Sequence, residues 1–197
     1  MNMKTEKTIT YFNEPGVKNT RDCAVIAVQR AEDLGLSTII VASTSGYTAK
    51  TFFDEMKDTE LRLVVVTHAV GASKPGFWEF DEKFAEELRT AGVQIVTGTH
   101  ALSGLERAIS RNPKLGGSSR TEVIAEAFRK TVAVGMKVAV ECVLIAADQG
   151  AIPVSDEVIA VGGTAEGADT VIVVKPAHTS SFFDLQVREF VAMPRDR

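Results

Sequence analysis

Apolar residues recur along the chain in two alternating patterns, short continuous runs and stripes at helical spacing. The runs at residues 9–12 (ITYF), 38–42 (TIIVA), 61–66 (LRLVVV) and 93–97 (VQIVT) predict strands, being short, rich in β-branched and aromatic residues, and bounded by turn chemistry. Between them, Ala24, Ala27, Val28, Ala31 and Leu34 share one helical face, with Asn19 as the expected cap, Asp22 in the first turn and Gly35 as the stop. Phe52, Phe53 and Met56 form a second stripe, and Phe80, Phe84, Leu88 and Ala91 a third that Gly92 closes. This repetition of strand and helix predicts a parallel sheet covered by helices on both faces.

The second half reads differently. Residues 102–111 are expected to be helical up to Asn112-Pro113, and residues 114–119 to form a glycine-containing loop. Ser119 and Glu122 have the spacing of a capping box, so a helix is expected to start there, with Val123, Ile124, Ala127 and Phe128 facing inward. Residues 136–147 are β-rich in composition but too long for a typical strand, and predict a buried helix. Residues 157–161 and 170–174 predict two strands whose connection is too short for a parallel crossover, so they are expected to pair antiparallel. Residues 182–193 fit either an edge strand or a short helix.

Composition narrows the function. A length of 197 residues with 45% hydrophobic residues suits one domain. The net charge of −4, without a basic run, leaves no electrostatic footprint for nucleic acid. The start of the chain carries Lys4, Glu6 and Lys7 and no apolar leader segment, and the apolar stretch 132–152 is interrupted by Lys137, Glu141 and Asp148. A cytoplasmic protein that uses no membrane is therefore expected. Cys23 and Cys142 lie far apart in apolar surroundings and read as buried free thiols.

Open α/β sheets bind ligands beyond the carboxyl ends of their strands. That rule selects residues 13–20, 43–48, 67–76 and 98–100 and the pair Gly162-Gly163. The loop Ser43, Thr44, Ser45, Gly46, Tyr47 and Thr48 combines hydroxyls, a flexible glycine and a helix start, which suits a phosphate. Its S-x-S-G-x-T spacing resembles the T-x-T-G-x-T phosphate loop of flavodoxins; the alternative is a plain strand-to-helix turn with a hydroxyl cap. No G-x-x-x-x-G-K-[ST] motif is present, which argues against a Walker-type triphosphatase.

Asn13, Gly16, Asn19, Thr20, Thr67, His68 and His100 follow strands expected to be parallel, and so are expected to border the same cleft. His178 follows the antiparallel strand and belongs at the other end, so no metal site is expected. His68 and His100 suit ligand hydrogen bonds or proton transfer, or simple ties to the backbone. Glu141 and Asp148 could share a helical face as paired carboxylates, or could serve as caps and ion-pair partners. Arg107, Arg111 and Arg120 with Gly116-Gly117 suggest either a second anion-binding surface or solvated arginines. Phe77 and Trp78 read as core or interface residues.

Six segments carry a family resemblance: YFNEPGVKNT (11–20), VASTSGYTA (41–49), SGLERAISR (103–111), GGSSRTEVIAEA (116–127), AADQGAIP (146–153) and VGGTAEGADTVIVVKPAH (161–178). On these the chain resembles the C-terminal alpha/beta domain of pyruvate kinase, and more closely a stand-alone, mainly archaeal family of pyruvate kinase alpha/beta domain proteins. The resemblance implies a three-layer α/β/α sandwich with a mainly parallel sheet and one antiparallel strand. It also implies that Ser43, Thr44, Ser45, Gly46 and Thr48 hold a phosphate, and that the ligand is flavin mononucleotide. It leaves open a flavin-dependent oxidoreductase activity, and implies none of the kinase's phosphoryl transfer, since the catalytic barrel has no counterpart here. Residues 102–119 have no assignable counterpart in the kinase domain. A homo-oligomer is expected, because the kinases use this domain in subunit contacts. The competing expectation is a non-catalytic regulatory or interaction protein that binds a sugar phosphate; a hydrolase built on His68 or His100 lacks a nucleophile motif.

Overall fold

The computed structural model describes residues 4–196; residues 1–3, which begin the segment read for a leader, and residue 197 lie outside the described residues. The apolar runs form the strands β1 (Thr10–Phe12), β2 (Thr38–Ala42), β3 (Arg62–Thr67), β4 (Gln94–Thr97), β5 (Val158–Gly162), β6 (Thr170–Lys175) and β7 (Gln186–Pro194). They make one sheet in the order β1-β7-β6-β5-β2-β3-β4. β6 alone runs against the others, antiparallel to both β5 and β7, as the short connection from residue 162 to 169 requires.

The helices are α1 (Thr20–Leu34), α2 (Tyr47–Glu55), α3 (Glu82–Thr90), α4 (Gly104–Ser110), α5 (Arg120–Thr131) and α6 (Val134–Asp148). Alternation along each strand divides the core into two layers. On β2, Ile39 and Val41 pack with residues of α1, α2 and α3, while Ile40 faces α5 and α6. All three are fully buried, and each contributes roughly 1.5–3 kcal/mol by leaving water.

The helix predicted over residues 136–147 is α6, and its apolar circumference has a plain cause: every residue from 139 to 147 is buried. Its first turn presses against the end of β5. A Cβ on Gly162 would meet the Gly135 carbonyl oxygen at 2.2 Å, so only glycine permits that approach. Ser119 caps α5 as its spacing predicts, its hydroxyl accepting from Glu122 N–H at 3.2 Å. Arg30 of α1 fastens β7 through a two-pronged contact with Glu189 at 2.7 and 2.8 Å.

Several expectations need correction. The C-terminal segment is not an edge strand: after a 3₁₀ turn at Thr179–Asp184, β7 lies inside the sheet between β1 and β6. On α5, Val123 and Ala127 are exposed and Ala125 is the fully buried residue, because only a narrow face meets α6. Asn19 does not cap α1 with its side chain. A 3₁₀ turn, Val17–Asn19, runs straight into the helix, and the Asn19 amide turns back to donate to the Glu14 carbonyl at 2.8 Å. The helix expected over 102–111 begins at Gly104. Among the described residues, no helix is long and apolar enough to cross a membrane.

Candidate functional site

The strand β2 ends in a short polar loop, β3 in the longer connection 68–81, and α6 covers the far side of the sheet from α2. Between these lies a cleft of about 600 Å³. Ser43, Thr44, Ser45, Tyr47 and Thr48 line one side, Thr67 and His68 follow from β3, and His100 enters from the loop after β4. This is the position at which doubly wound sheets hold ligands.

The 43–48 loop is shaped by its own hydrogen bonds. Ser43 N–H donates to the Val66 carbonyl at 2.9 Å, and the Ser43 hydroxyl accepts from Ala49 N–H at 3.2 Å, which fixes the start of α2. Gly46 has φ of 108°, in the range that favours glycine. It stands behind the cleft surface, where a Cβ would meet Phe84 Cδ1 at 3.0 Å. The consequence is a row of donors: among the described residues, the N–H groups of Thr44, Ser45, Gly46, Tyr47 and Thr48 have no protein acceptor. Thr48 is only 4% exposed, and among the described residues its hydroxyl has no protein partner. Such N–H groups at a helix N-terminus are free to donate to an anion.

Beside this loop stand two imidazoles. The His68 and His100 rings meet edge to face, with centroids 5.1 Å apart. His68 Nδ1 lies 3.0 Å from Glu79 Oε2, and its Nε2 lies 3.4 Å from the Thr44 hydroxyl. His100 Nδ1 lies 3.2 Å from Glu141 Oε2, while Glu141 Oε1 accepts from Leu102 N–H at 2.8 Å. Lys137, one turn earlier on α6, donates to the same Glu141 carboxylate. Burial alone would raise the Glu141 pKa, but the contacts with His100, Lys137 and Leu102 outweigh it and hold the carboxyl at about 2. A carboxylate ionised to that degree can only accept, so His100 Nδ1 carries the proton toward it.

The opposite rim is cationic. Arg107 on α4 and Arg129 on α5 line the cleft together with Arg111. Arg107 faces Glu122 at 3.5 Å and Arg129 pairs with Glu126 at 2.5 Å, whereas Arg111 has no acidic partner among the described residues. Arg120 does not reach the cleft. Val134, Val138 and Ile145 of α6 add an apolar wall. Cys142 also touches the cleft, but burial pushes its thiol up to about 12, which leaves it inert as a nucleophile.

Of the residues expected to share the cleft, Asn13, Gly16, Asn19 and Thr20 do not line it. Asn13 is exposed, and the polar groups of Gly16, Asn19 and Thr20 are used inside the protein. Gly16 N–H donates to buried Asp169 at 3.0 Å, and Thr20 Oγ1 accepts from Ala168 N–H at 3.0 Å while donating to the Val17 carbonyl. Gly16 and Thr20 support the 163–169 segment from behind, and Gly163, Ala165, Glu166 and Gly167 of that segment reach the cleft. Glu141 and Asp148 belong to separate networks, since Asp148 accepts from Thr179 and faces His178 at 3.2 Å. Trp78 packs against the core and stacks on Phe80 at 5.4 Å, whereas Phe77 is half exposed. Among the described residues, no three His, Cys, Asp or Glu side chains group as ligands for a metal.

Sequence reasoning missed Arg129, Lys137 and Glu79 as cleft residues. Lys137 and Glu141 at spacing i, i+4 on an otherwise apolar helix are the signal that could have found the first buried pair.

A family model described as the pyruvate kinase alpha/beta domain matches residues 21–174. Among solved structures, a pyruvate kinase from Cryptosporidium parvum is similar at 18% identity over 82% of this chain, with a TM-score of 0.42. A second structure of pyruvate kinase from that organism, in complex with ADP, is similar at 20% identity over 80% of the chain, with a TM-score of 0.38. The chain spans 23% of the length of each of these kinases.

Proposed function

The chain belongs to the pyruvate kinase alpha/beta domain family, and on that premise we propose that it is a phosphate-anchored small-molecule binding protein without pyruvate kinase activity. The observation that carries this reading is the row of unpartnered N–H groups from Thr44 to Thr48, with the buried Thr48 hydroxyl beside it. A phosphate there meets a helix dipole, worth roughly 0.3–2 kcal/mol, and several charge-assisted hydrogen bonds.

The ligand proposed first is flavin mononucleotide. Its phosphate would sit in the loop, and its ring system would find an apolar wall in Val134, Val138 and Ile145. The cationic rim formed by Arg107, Arg111 and Arg129 favours a second reading, a sugar phosphate.

Calorimetry with flavin mononucleotide and with riboflavin tests the anchor. In the flavin case the phosphorylated form should bind the wild type about ten- to a hundredfold more tightly, equivalent to ~1.4–2.8 kcal/mol. Equal affinity would remove the phosphate from the loop. A yellow purified protein supports the flavin, whereas a colourless one carrying a sugar phosphate by mass spectrometry supports the second reading. Pyruvate formation that depends on ADP and Mg²⁺ would contradict the absence of kinase activity.

A further inference from the structure

The two histidines of the cleft are arranged as more than ligand contacts. Each has Nδ1 against a carboxylate, His68 on Glu79 and His100 on Glu141, and their rings stand 5.1 Å apart. Carboxylates fix the tautomer of both rings and leave each Nε2 as the nitrogen able to take or give a proton. Neither ring is closed off, with side-chain exposures of 43% and 30%.

We propose that this cleft is a catalytic centre in which His68 and His100 form an acid–base pair that moves a proton between adjacent carbons of a short phosphorylated hydroxycarbonyl compound. The proposal rests on the phosphate anchor and on the sugar-phosphate reading of its occupant. His68 Nε2 lies 3.4 Å from the Thr44 hydroxyl, so a phosphate seated on the loop places the first carbons of its ester next to the imidazoles. Two rings at this spacing can serve two atoms of one substrate, a C–H and the neighbouring carbonyl oxygen.

The step balances without a co-reactant. One Nε2 takes the proton from the carbon next to the carbonyl, and that C–H electron pair becomes the C=C bond of an enediol. The former C=O pair moves to oxygen, which receives a proton from Nε2 of the other ring, present as the imidazolium with its Nδ1–H still on the carboxylate; that ring becomes neutral as the first becomes an imidazolium. Return of a proton to the former carbonyl carbon, with loss of one from the neighbouring hydroxyl, yields the isomeric hydroxycarbonyl compound. Glu79 and Glu141 act as positioning residues for the two rings.

Dihydroxyacetone phosphate in D₂O is the probe. Proton NMR follows loss of its hydroxymethyl signal with wild type and with His68→Gln and His100→Asn prepared identically. Exchange should rise in proportion to wild-type protein, to at least a hundredfold above the buffer rate. Each histidine variant should lose at least a hundredfold in kcat while KM moves less than threefold. Thr48→Ala should show the reverse, a raised KM with kcat nearly kept. Glu79→Gln, with the ring itself retained, should lower kcat about tenfold and serves if a histidine variant does not fold.

No exchange above the buffer rate by the wild type, or equal exchange by wild type and the folded variants, would overturn the proposal. Phosphorus NMR of the same samples separates the two levels. Binding without exchange sinks the catalytic pair and keeps the anchor, whereas absence of binding sinks the pair together with the sugar-phosphate reading and leaves the anchor to the comparison of flavin mononucleotide with riboflavin.

Discussion

Two loops of this molecule look alike in sequence and differ in where their polar groups find partners. Residues 13–20 and 43–48 both follow parallel strands, both contain a glycine at positive φ, and both offer hydroxyl or amide side chains at the start of a helix. In the first, Gly16 N–H, Thr20 Oγ1 and the Asn19 amide all have partners within the protein. In the second, the N–H groups from Thr44 to Thr48 have none among the described residues. What separates the two loops is therefore a buried acceptor: Asp169 stands behind the first, whereas among the described residues no protein acceptor meets the N–H groups of the second. Polar residues at a strand end nominate a site, but hydrogen-bond accounting decides it.

The most forceful way to break this contrast is Asp169→Ala. The Asp169 carboxylate is fully buried and accepts from Gly16 N–H, Thr164 N–H and the Thr170 hydroxyl at 3.0, 2.9 and 2.8 Å. Its loss should cost about 3–5 kcal/mol, read by urea unfolding, because three donors lose their acceptor.

Glu141 is the corresponding satisfied carboxylate on the cleft side. Its folded pKa of about 2 lies below the ordinary 4.5, so the unfolded chain binds the extra proton between those values. The resulting stability is fully present above about pH 4.5 and lost as pH falls toward 2, a change of about 3 kcal/mol. Unfolding of Glu141→Gln should lack this component of the acid dependence; a parallel loss in wild type and variant would contradict the assignment.

Gly46→Val should cost about 1–3 kcal/mol, since a β-branched residue resists φ of 108° and its Cβ would press on Phe84. Thermal melts check this, and phosphate binding should fall with it.

The sharpest test is a reciprocal pair of threonines. Thr20→Val should cost about 1–2 kcal/mol of stability, because Ala168 N–H loses its acceptor, and should leave phosphate affinity within about twofold. Thr48→Ala should change stability by less than ~0.5 kcal/mol and weaken phosphate binding about ten- to a hundredfold. If both variants shifted the same quantity, the two loops would not differ in the way described.

The sequence is legible where a feature is local. Strand and helix periods, the Ser119 cap and the antiparallel pairing forced by the short connection after β5 depend on spacing within a segment, and the grouping of Ser43, Thr44, Ser45, Thr48, His68 and His100 follows from parallel strands sharing one carboxyl end. What spacing does not reveal is which partners distant segments bring. Arg107 and Arg129 reach the cleft only because α4 and α5 fold over α6, and the partners of Gly16 and Thr20 lie more than a hundred residues away. The placement of β7 fails to show for the same reason. Its alternation of half-buried and exposed residues suits an edge, yet β1 covers that edge from the far end of the chain.

That last contact sets an order of events. Among the described residues β1 pairs only with β7, Thr10 opposite Ala192, so that strand has no neighbour in this sheet until β7 has been made. During synthesis the β2-β3-β4 side can consolidate early, while β6 keeps an unpaired edge and β1 waits beside α1. Contacts of such sequence separation form slowly, so an emerging chain carries two sticky strands for longest at the side of the sheet remote from β4. Crowded translation should therefore expose this protein to misassembly through that side first.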